Sequence, residues 1–392
     1  MQTQGQVRSA NLAAALACLR DGGPRSRARL ATDTGLTKAT VSSLVTELVE
    51  RGLVAEGAVH RPGSVGRPGT LVGLAGGVCG IGVEVNVDYL AVLALDLAGQ
   101  VRWESRTALD VPGLRPVEVL ARASALVSEA RANQAAAAVG VTVAVPGGVQ
   151  GSVVRTAPNL PGWVGTDVAA GLAGLGLPVT VGNDADLSAL AEVSAGPHAG
   201  VPDLVYLTGE VGVGGGVVTG GQLLRGSTGL GGEVGHLALT PGDAPCGCGR
   251  RGCWETVVGL GALLRAAADP DDPLRDPGRD LEDRLGEVVA RARAGDARTL
   301  EALAGIGTGL GVGAAVLVAL FDPAVVVLGG YFAVVGEFLL DPLRAALAAR
   351  VEDADRVALS TLGFTAAVRG GAHVALQPVF DNPTIVPLEA SA

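Results

Sequence analysis

Three cysteines fall within eight residues, Cys246-Gly247-Cys248-Gly249-Arg250-Arg251-Gly252-Cys253, and His236 lies ten residues before the first of them. Thiolate and imidazole are the ligands a tetrahedral Zn²⁺ prefers, and four of them close a structural site with no open position. His236, Cys246, Cys248 and Cys253 therefore form a candidate metal set. Two carboxylates are threaded through the same stretch, Glu233 just before His236 and Glu255 just after Cys253. A metal knuckle of fixed shape could present both acids to a polyol. The competing reading is a chance cluster of buried thiols, since free cysteine often acts as a small core hydrophobe. The glycine punctuation and the placement of the histidine argue against it.

Two further polar groups stand at the ends of extended segments. Gly182-Asn183-Asp184-Ala185 closes a strand over 178–181 and opens a helix. A carboxylate there can accept a hydroxyl hydrogen bond or act as a general base. Taken singly, Asn-Asp after a strand reads as a turn or helix cap. Residues 158–163, Pro-Asn-Leu-Pro-Gly-Trp, make a loop with Asn159 near its tip.

The elements that must hold these groups follow from periodicity. Residues 136–145 form a long apolar strand suited to a sheet interior. Before it, residues 78–100 read as two strands turning at Asn86-Val87-Asp88, then a strand over 101–109 and a helix over 117–132. The pattern recurs: 204–224 is strand, Gly-rich turn and strand, followed by helices and a buried strand over 324–328 that ends in Gly329-Gly330. The echo predicts a duplicated α/β unit. Residues 269–284, rich in Asp, Pro and Arg, read as an exposed loop leading into a helix.

The first 70 residues differ in kind. They hold nine basic and five acidic residues, leaving 20 basic against 34 acidic for the rest of a chain of net charge −10. A basic head on an acidic body fits a small nucleic-acid-binding unit on a larger module that avoids DNA. A helix over 11–19 is followed by one over 27–34, with Ser26 as its cap and Gly35 as its stop. Thr37 caps a third, in which Val41, Leu44, Val45, Leu48 and Val49 recur with helical spacing to form one buried face. Lys38, Thr40, Ser42 and Ser43 lie off that face near the helix start, where a helix-turn-helix presents residues to the major groove. Arg27, which opens the preceding helix, is a further candidate DNA contact. Strands over 53–56 and 71–74 flank a polar excursion carrying Arg61 and Arg67. That is a winged pattern, and its arginines suit a narrow A·T minor groove.

Several classes are excluded or made remote. No run of about 18 apolar residues is uninterrupted, so no membrane span is expected, and no basic, then apolar, leader is visible. Five cysteines, three of them clustered, fit a reducing cytoplasm rather than a disulfide framework.

The motifs together resemble the ROK family of repressors, open reading frames and sugar kinases. The carriers are Glu233-Val-Gly-His236, the Cys-x-Cys-Gly-x-x-Gly-Cys-x-Glu run from Cys246 to Glu255, and, in the head, Gly35-Leu-Thr-x-x-Thr-Val-Ser and Gly66-Arg-Pro, as in regulators of the xylose-repressor type. The resemblance implies an α/β chain in which a winged helix-turn-helix (1–74) precedes a two-lobed actin-like, ribonuclease-H-like body of the sugar-kinase type (75–392). Lobe one would span about 75–185 plus the C-terminal segment, and lobe two about 186–375. It also implies that Asn159, Asn183, Asp184, Glu233, His236 and Glu255 bind a monosaccharide. His236 would then use one ring nitrogen for structural zinc and the other for a sugar hydroxyl.

The kinases of the family carry Asp-x-Gly-Gly-Thr in a first phosphate hairpin and Gly-Thr-Gly-x-Gly-Gly-Gly in a second. Here the registers read Glu84-Val-Asn86-Val-Asp88 and Glu210-Val211-Gly-Val-Gly-Gly-Gly. Two losses in the phosphate cradle argue against phosphoryl transfer and against ATP. The remaining glycines are expected to serve tight turns and packing of the strand pair. The expectation is a cytoplasmic, non-enzymatic regulator, a homodimer or tetramer that binds double-stranded operator DNA and a monosaccharide, with no membrane partner. The alternative is a sugar kinase with a fused DNA-binding head, in which Asp184 would be catalytic.

Overall fold

The computed structural model describes residues 4–60, 69–210, 212–239 and 243–388. The head comprises α1 (Gln4–Gly22), β1 (Arg25–Ser26), α2 (Arg27–Thr34), α3 (Lys38–Glu50), β2 (Val54–His60) and β3 (Gly69–Leu74), its strands in the order β1-β3-β2. The caps are those the sequence called for. The Ser26 hydroxyl accepts from the Arg29 amide, Thr37 accepts from the Thr40 amide, and Gly35 ends α2 in the left-handed conformation. The first helix is longer than expected. Val41, Leu44, Val45 and Leu48 are buried, but Val49 is 40% exposed. Eight residues turn a helix about 80° past whole turns, which carries Val49 off the stripe that Val41 begins.

The head core does not end within the head. Leu12, Leu16, Leu30, Leu44, Leu48 and Leu53 pack in one cluster with Leu376, Val379, Phe380 and Val386 from the far end of the chain. The Arg51 guanidinium donates to the Val386 carbonyl, and the Ser9 hydroxyl to Asn382 Oδ1 at 2.7 Å.

The first half of the body runs β4 (Val78–Val85), β5 (Tyr89–Asp96), β6 (Val101–Ala108), α4 (Pro116–Ala132), β7 (Ala137–Val145), β8 (Val149–Gln150), β9 (Val153–Val154), α5 (Val168–Gly171) and β10 (Val179–Asn183). The second begins with α6 (Asp184–Ala195), β11 (Leu204–Gly209), β12 (Val213–Thr219), β13 (Gln222–Leu223), α7 (Glu255–Val258), α8 (Leu260–Ala267), α9 (Leu281–Arg293) and α10 (Ala297–Phe321). It continues through β14 (Val325–Gly330), α11 (Tyr331–Val334), α12 (Gly336–Ala348), β15 (Val357–Leu359) and α13 (Ala366–Asp381).

The two sheets share one plan. Their orders are β6-β5-β4-β7-β10 and β13-β12-β11-β14-β15, each with its first three strands antiparallel and its last two added parallel. Turns after the first strands, β4 and β11, are therefore equivalent places in two repeats. Among the described residues one helix, α10, is long and apolar enough to cross a membrane, with a mean hydropathy of 2.0 over its most apolar stretch. It lies against α12 and α8 in the core of the second lobe, which accounts for its composition.

Two helices join the lobes. α13 lies on the first sheet and crosses α6, and α6 in turn lies on β12. Both contacts need glycine. A Cβ at Gly370 would stand 1.8 Å from the Leu187 carbonyl oxygen of α6, and one at Gly216 would stand 2.6 Å from that of Ala185. The glycines of β12 thus seat the helix that begins at Asp184. The expected role in packing the strand pair gives way to this one, because the nearest backbone above the strand is helical.

Candidate functional site

Asn159, Asn183, Asp184, Glu233, His236 and Glu255 line one cavity, together with Asn86, Thr208, Glu210 and the backbone of Gly147, Gly212 and Gly214. The elements that deliver them come from both lobes. Asn159 sits on a loop pinned by the fully buried Trp163 and Leu160. Asn183 ends β10 and caps α6. Its Oδ1 accepts from the Asp186 amide at 3.1 Å, and its Nδ2 donates to the Gly147 carbonyl at 3.1 Å. The plainer capping role is therefore real, and it fixes the direction of Asp184 beside it. Asp184 accepts from the Ala185 amide at 2.9 Å. Burial, reinforced by the charge of Glu233, pushes its carboxyl up to about 6.

Glu233 and His236 flank a single turn whose Val234 is buried against β12. Glu255 opens α7 behind Trp254, whose indole is buried and donates to the Gly309 carbonyl of α10 at 2.9 Å. An added Cβ on Gly212 would stand 2.9 Å from Glu255 Oε2 and 3.7 Å from Asn159 Nδ2, so those two side chains close on one point.

The four candidate metal ligands converge as well. One donor atom from each of His236, Cys246, Cys248 and Cys253 lies within 4.8 Å of the others. Cys248 Sγ and Cys253 Sγ are 3.7 Å apart, and Cys246 Sγ and His236 Nδ1 are 3.7 Å apart. A tetrahedron with metal–sulfur bonds of about 2.3 Å has edges of about 3.8 Å, so the donor set fits such an ion. The hairpin between the thiols closes with Cys246 N–H on the Arg250 carbonyl, with Gly249 and Gly252 at positive φ. The three thiols are shifted in opposite directions: burial and the Glu255 carboxylate raise Cys246, burial raises Cys253, and, against burial, the backbone amide and guanidinium of Arg250 lower Cys248. His236 Nδ1 faces the thiols, while Nε2 faces Glu233 at 3.8 Å. Ligation through Nδ1 would leave Nε2–H as a donor toward the cavity.

The sequence reading took Glu84, Asn86 and Glu210 only as losses from the two phosphate hairpins and missed that they meet as the opposite side of the cavity. Asn86 follows β4 and Glu210 follows β11, the equivalent turns of the two repeats, and Asn86 Nδ2 donates to Glu210 Oε2 between the lobes. Behind them lies Glu84, 1% exposed, which accepts from Tyr89 OH at 2.6 Å and leaves Oε2 without a hydrogen-bond partner. Burial pushes Glu84 up to about 7, with the nearby Asp184 charge adding to it, and Glu210 is raised by burial and by Glu84. Asp186, buried beneath the cavity, is pushed up to about 7 by burial. The sequence signal for Asn86 and Glu210 was their shared place after the first strand of each repeat. Val211 lies outside the described residues.

In the head, Lys38, Ser42 and Ser43 are exposed on α3, with Thr40 half-buried. Arg27 turns inward, donating to Ser42 Oγ at 2.8 Å and to Glu56 at 2.7 Å, and Arg8 donates to Ser43 Oγ at 3.2 Å. Arg27 therefore braces α3 at Ser42 rather than pointing outward. Arg61 and Arg67 lie outside the described residues.

Known proteins share these features. Residues 80–377 match the model of the ROK family, and residues 10–57 match that of the IclR helix-turn-helix domain. The xylose repressor of Caldicellulosiruptor bescii is 29% identical over 336 residues, covering 81% of this chain and 82% of its own. The crystal structure of a ROK family transcriptional regulator, a homolog of the E. coli MLC protein, superposes with a TM-score of 0.76 at 24% identity, over 96% of this chain and 97% of its own. A ROK family glucokinase from Streptomyces griseus, solved with glucose and AMPPNP, superposes with a TM-score of 0.66 at 28% identity, over 76% of this chain and 99% of its own. The helix-turn-helix head and two-lobed actin-like body expected from the sequence are the observed architecture.

Proposed function

The chain belongs to the ROK family, and from that premise we propose that it is a sugar-responsive DNA-binding transcriptional regulator, a repressor of carbohydrate-metabolism genes. Residues 1–74 bind operator DNA and 75–392 bind a monosaccharide. The protein acts in the cytoplasm as a homo-oligomer. One observation carries the reading: the cavity and the head are ends of a single packed path. Asp184 opens α6, α6 crosses α13, and α13 completes the head core through Leu376, Val379 and Phe380. A ligand that draws the lobes together moves α6 against α13, and with it the head. Two heads of a dimer must match half-sites about 34–36 Å apart, so small reorientations change operator affinity.

His236, Cys246, Cys248 and Cys253 would hold Zn²⁺, whose part is to fix the loops carrying Glu233 and Glu255. Asn159, Asn183, Asp184, Glu233, His236 and Glu255 bind the sugar. Lys38, Thr40, Ser42 and Ser43 face DNA, Arg27 supports them, and Arg61 and Arg67 reach the minor groove. Fluorescence anisotropy on the promoter of its own gene, across a sugar panel, tests this. One sugar should shift operator affinity at least tenfold, which needs about 1.4 kcal/mol of difference between states. Arg67→Ala should weaken operator binding by about 1–3 kcal/mol. A footprint unchanged when Lys38, Ser43 and Arg67 are all replaced by alanine refutes the DNA assignment.

A sugar kinase with a fused head is the second reading, favoured by one observation. The Asp184 carboxyl, raised to about 6 at the cavity wall, suits a general base. The hydrogen bond between Asn86 and Glu210, at the places of the two phosphate hairpins, weighs against it. Sugar-dependent ADP release that disappears in Asp184→Ala would establish it.

A further inference from the structure

Resting on the sugar-binding reading above, we propose that Asn86 and Glu210 make the cavity selective for an uncharged monosaccharide and against the phosphate ester of that same sugar.

The lining supplies charge of one sign. Asp184, Glu210, Glu233 and Glu255 are its acids, His236 is its one basic ring, and no lysine or arginine lines it among the described residues. Glu84 adds a further carboxyl behind Asn86. Three guanidinium groups act on the acids around the cavity without lining it: Arg106 pairs with Glu282, Arg250 donates to Cys248 Sγ at 3.4 Å, and the exposed Arg225 acts on Asp186 beneath the cavity. A phosphate ester brings about −2 charge at pH 8 and is ordinarily met by arginine, lysine or unpaired backbone amides.

Backbone amides are the other means of holding an anion, and five of those at the described turns around the cavity are already taken. At the N-terminus of α6, the natural anion site, the Ala185 amide is bonded to Asp184 Oδ1 and the Asp186 amide to Asn183 Oδ1. At the first-lobe turn, the Val87 amide is bonded to Asn86 Oδ1 at 2.7 Å and the Asn86 amide to the Tyr89 carbonyl. At the second-lobe turn, the Glu210 amide is bonded to the Gly212 carbonyl at 3.1 Å. Asn86 thus acts three ways: its carbonyl occupies an amide, its NH₂ fixes Glu210, and the same group touches Glu84 at 3.4 Å. Hydroxyls suffer no penalty in this lining, because carboxylates accept from them and asparagine amides donate to them.

The full-length protein, titrated calorimetrically at pH 8 with matched pairs, tests the proposal. The pairs are D-glucose and its 6-phosphate, N-acetyl-D-glucosamine and its 6-phosphate, and D-xylose and its 5-phosphate. For whichever pair binds, the ester should bind at least about a hundredfold more weakly than the free sugar, as like charges at close quarters require. Glu210→Gln should narrow that ratio by the charge that Glu210, raised by burial and by Glu84, still carries at pH 8. A ratio below a hundredfold in the unaltered protein overturns the proposal while leaving sugar binding intact. A ratio unmoved by Glu210→Gln removes Glu210 from it. Absence of binding by both members of every pair defeats the sugar-binding reading itself.

Discussion

On one side of the cavity, Glu233, His236 and Glu255 stand on loops gathered by three thiols. On the other, Asn86 and Glu210 stand at the ends of two strands from different lobes, with Glu84 behind them. The first side keeps its acids partly in solvent, Glu233 at 39% side-chain exposure, and would take its rigidity from the proposed metal cross-link. The second has little cross-linking and buries its acids, so its geometry depends on proton sharing and on how the lobes meet. A side held by local chemistry can be written into a short motif. A side held by lobe packing cannot, because its parts lie 124 residues apart.

The metal side gives the largest expected effect. Cys248→Ser removes one of four ligands, and structural zinc contributes on the order of 10 kcal/mol to small sites. Metal analysis of the purified protein should show one zinc per chain, absent in the variant. Limited proteolysis should open the 233–255 segment while the rest of the body stays resistant. Protein that carries no zinc in either form would break the contrast, since both sides would then rest on packing alone.

Next in size is ligand binding, which both sides must share. At a sugar concentration a hundredfold above Kd, the body should gain about 2.7 kcal/mol, read as a thermal shift. Asp184→Ala should abolish the shift and leave ligand-free operator binding in place, because Asp184 lies at the near end of the path to the head. Loss of operator binding as well would mean that Asp184 holds the fold rather than the ligand.

What the sequence disclosed follows the same division. The thiol knuckle, the caps Ser26, Gly35 and Thr37, and the repeated strand–turn–strand units are local, and each was legible as a short run. Glu84 was not, because every residue of β4 is buried and a run without alternation does not say which side chains face a cavity. Neither was the completion of the head core by Leu376, Val379 and Phe380, which periodicity in α13 cannot assign to a partner. The loop at 269–280, left without a role, delivers α9 and Glu282 to Arg106 on the other lobe.

The buried side should betray itself in pH dependence. The Glu84 carboxyl is raised by burial to about 7, from an ordinary value near 4.5. Its proton is kept by the folded state and lost by the unfolded state between those values, so its contribution is complete at low pH and declines as pH rises toward 7. Asp186, raised by burial to about 7, and Asp184, raised to about 6, act in the same direction. Stability should therefore fall between about pH 4.5 and 7 by an amount on the order of 1–3 kcal/mol from Glu84 alone. Glu84→Gln should flatten that part of the profile, measured by urea unfolding at several pH values. A slope unchanged in the variant would place the buried proton on another carboxyl.

The smallest effect belongs to the rim, where the two lobes also touch through Arg106 and Glu282. Their side chains are 32% and 56% exposed, and pairs in such settings contribute about 0–1 kcal/mol. Arg106 additionally lies over the Tyr89 ring, 4.1 Å from its centre, a contact that outlasts removal of its carboxylate partner. Glu282→Gln should therefore cost less than Arg106→Ala, with the double variant close to Arg106→Ala alone. A coupling energy well above 1 kcal/mol in that cycle would make the rim pair, rather than the buried Asn86–Glu210 contact, the principal tie between the lobes. A value near zero leaves lobe closure to the buried contact and to α6 on α13. The ligand's leverage on the head would then lie inside the cavity, where Asn86, Asp184 and Glu210 meet.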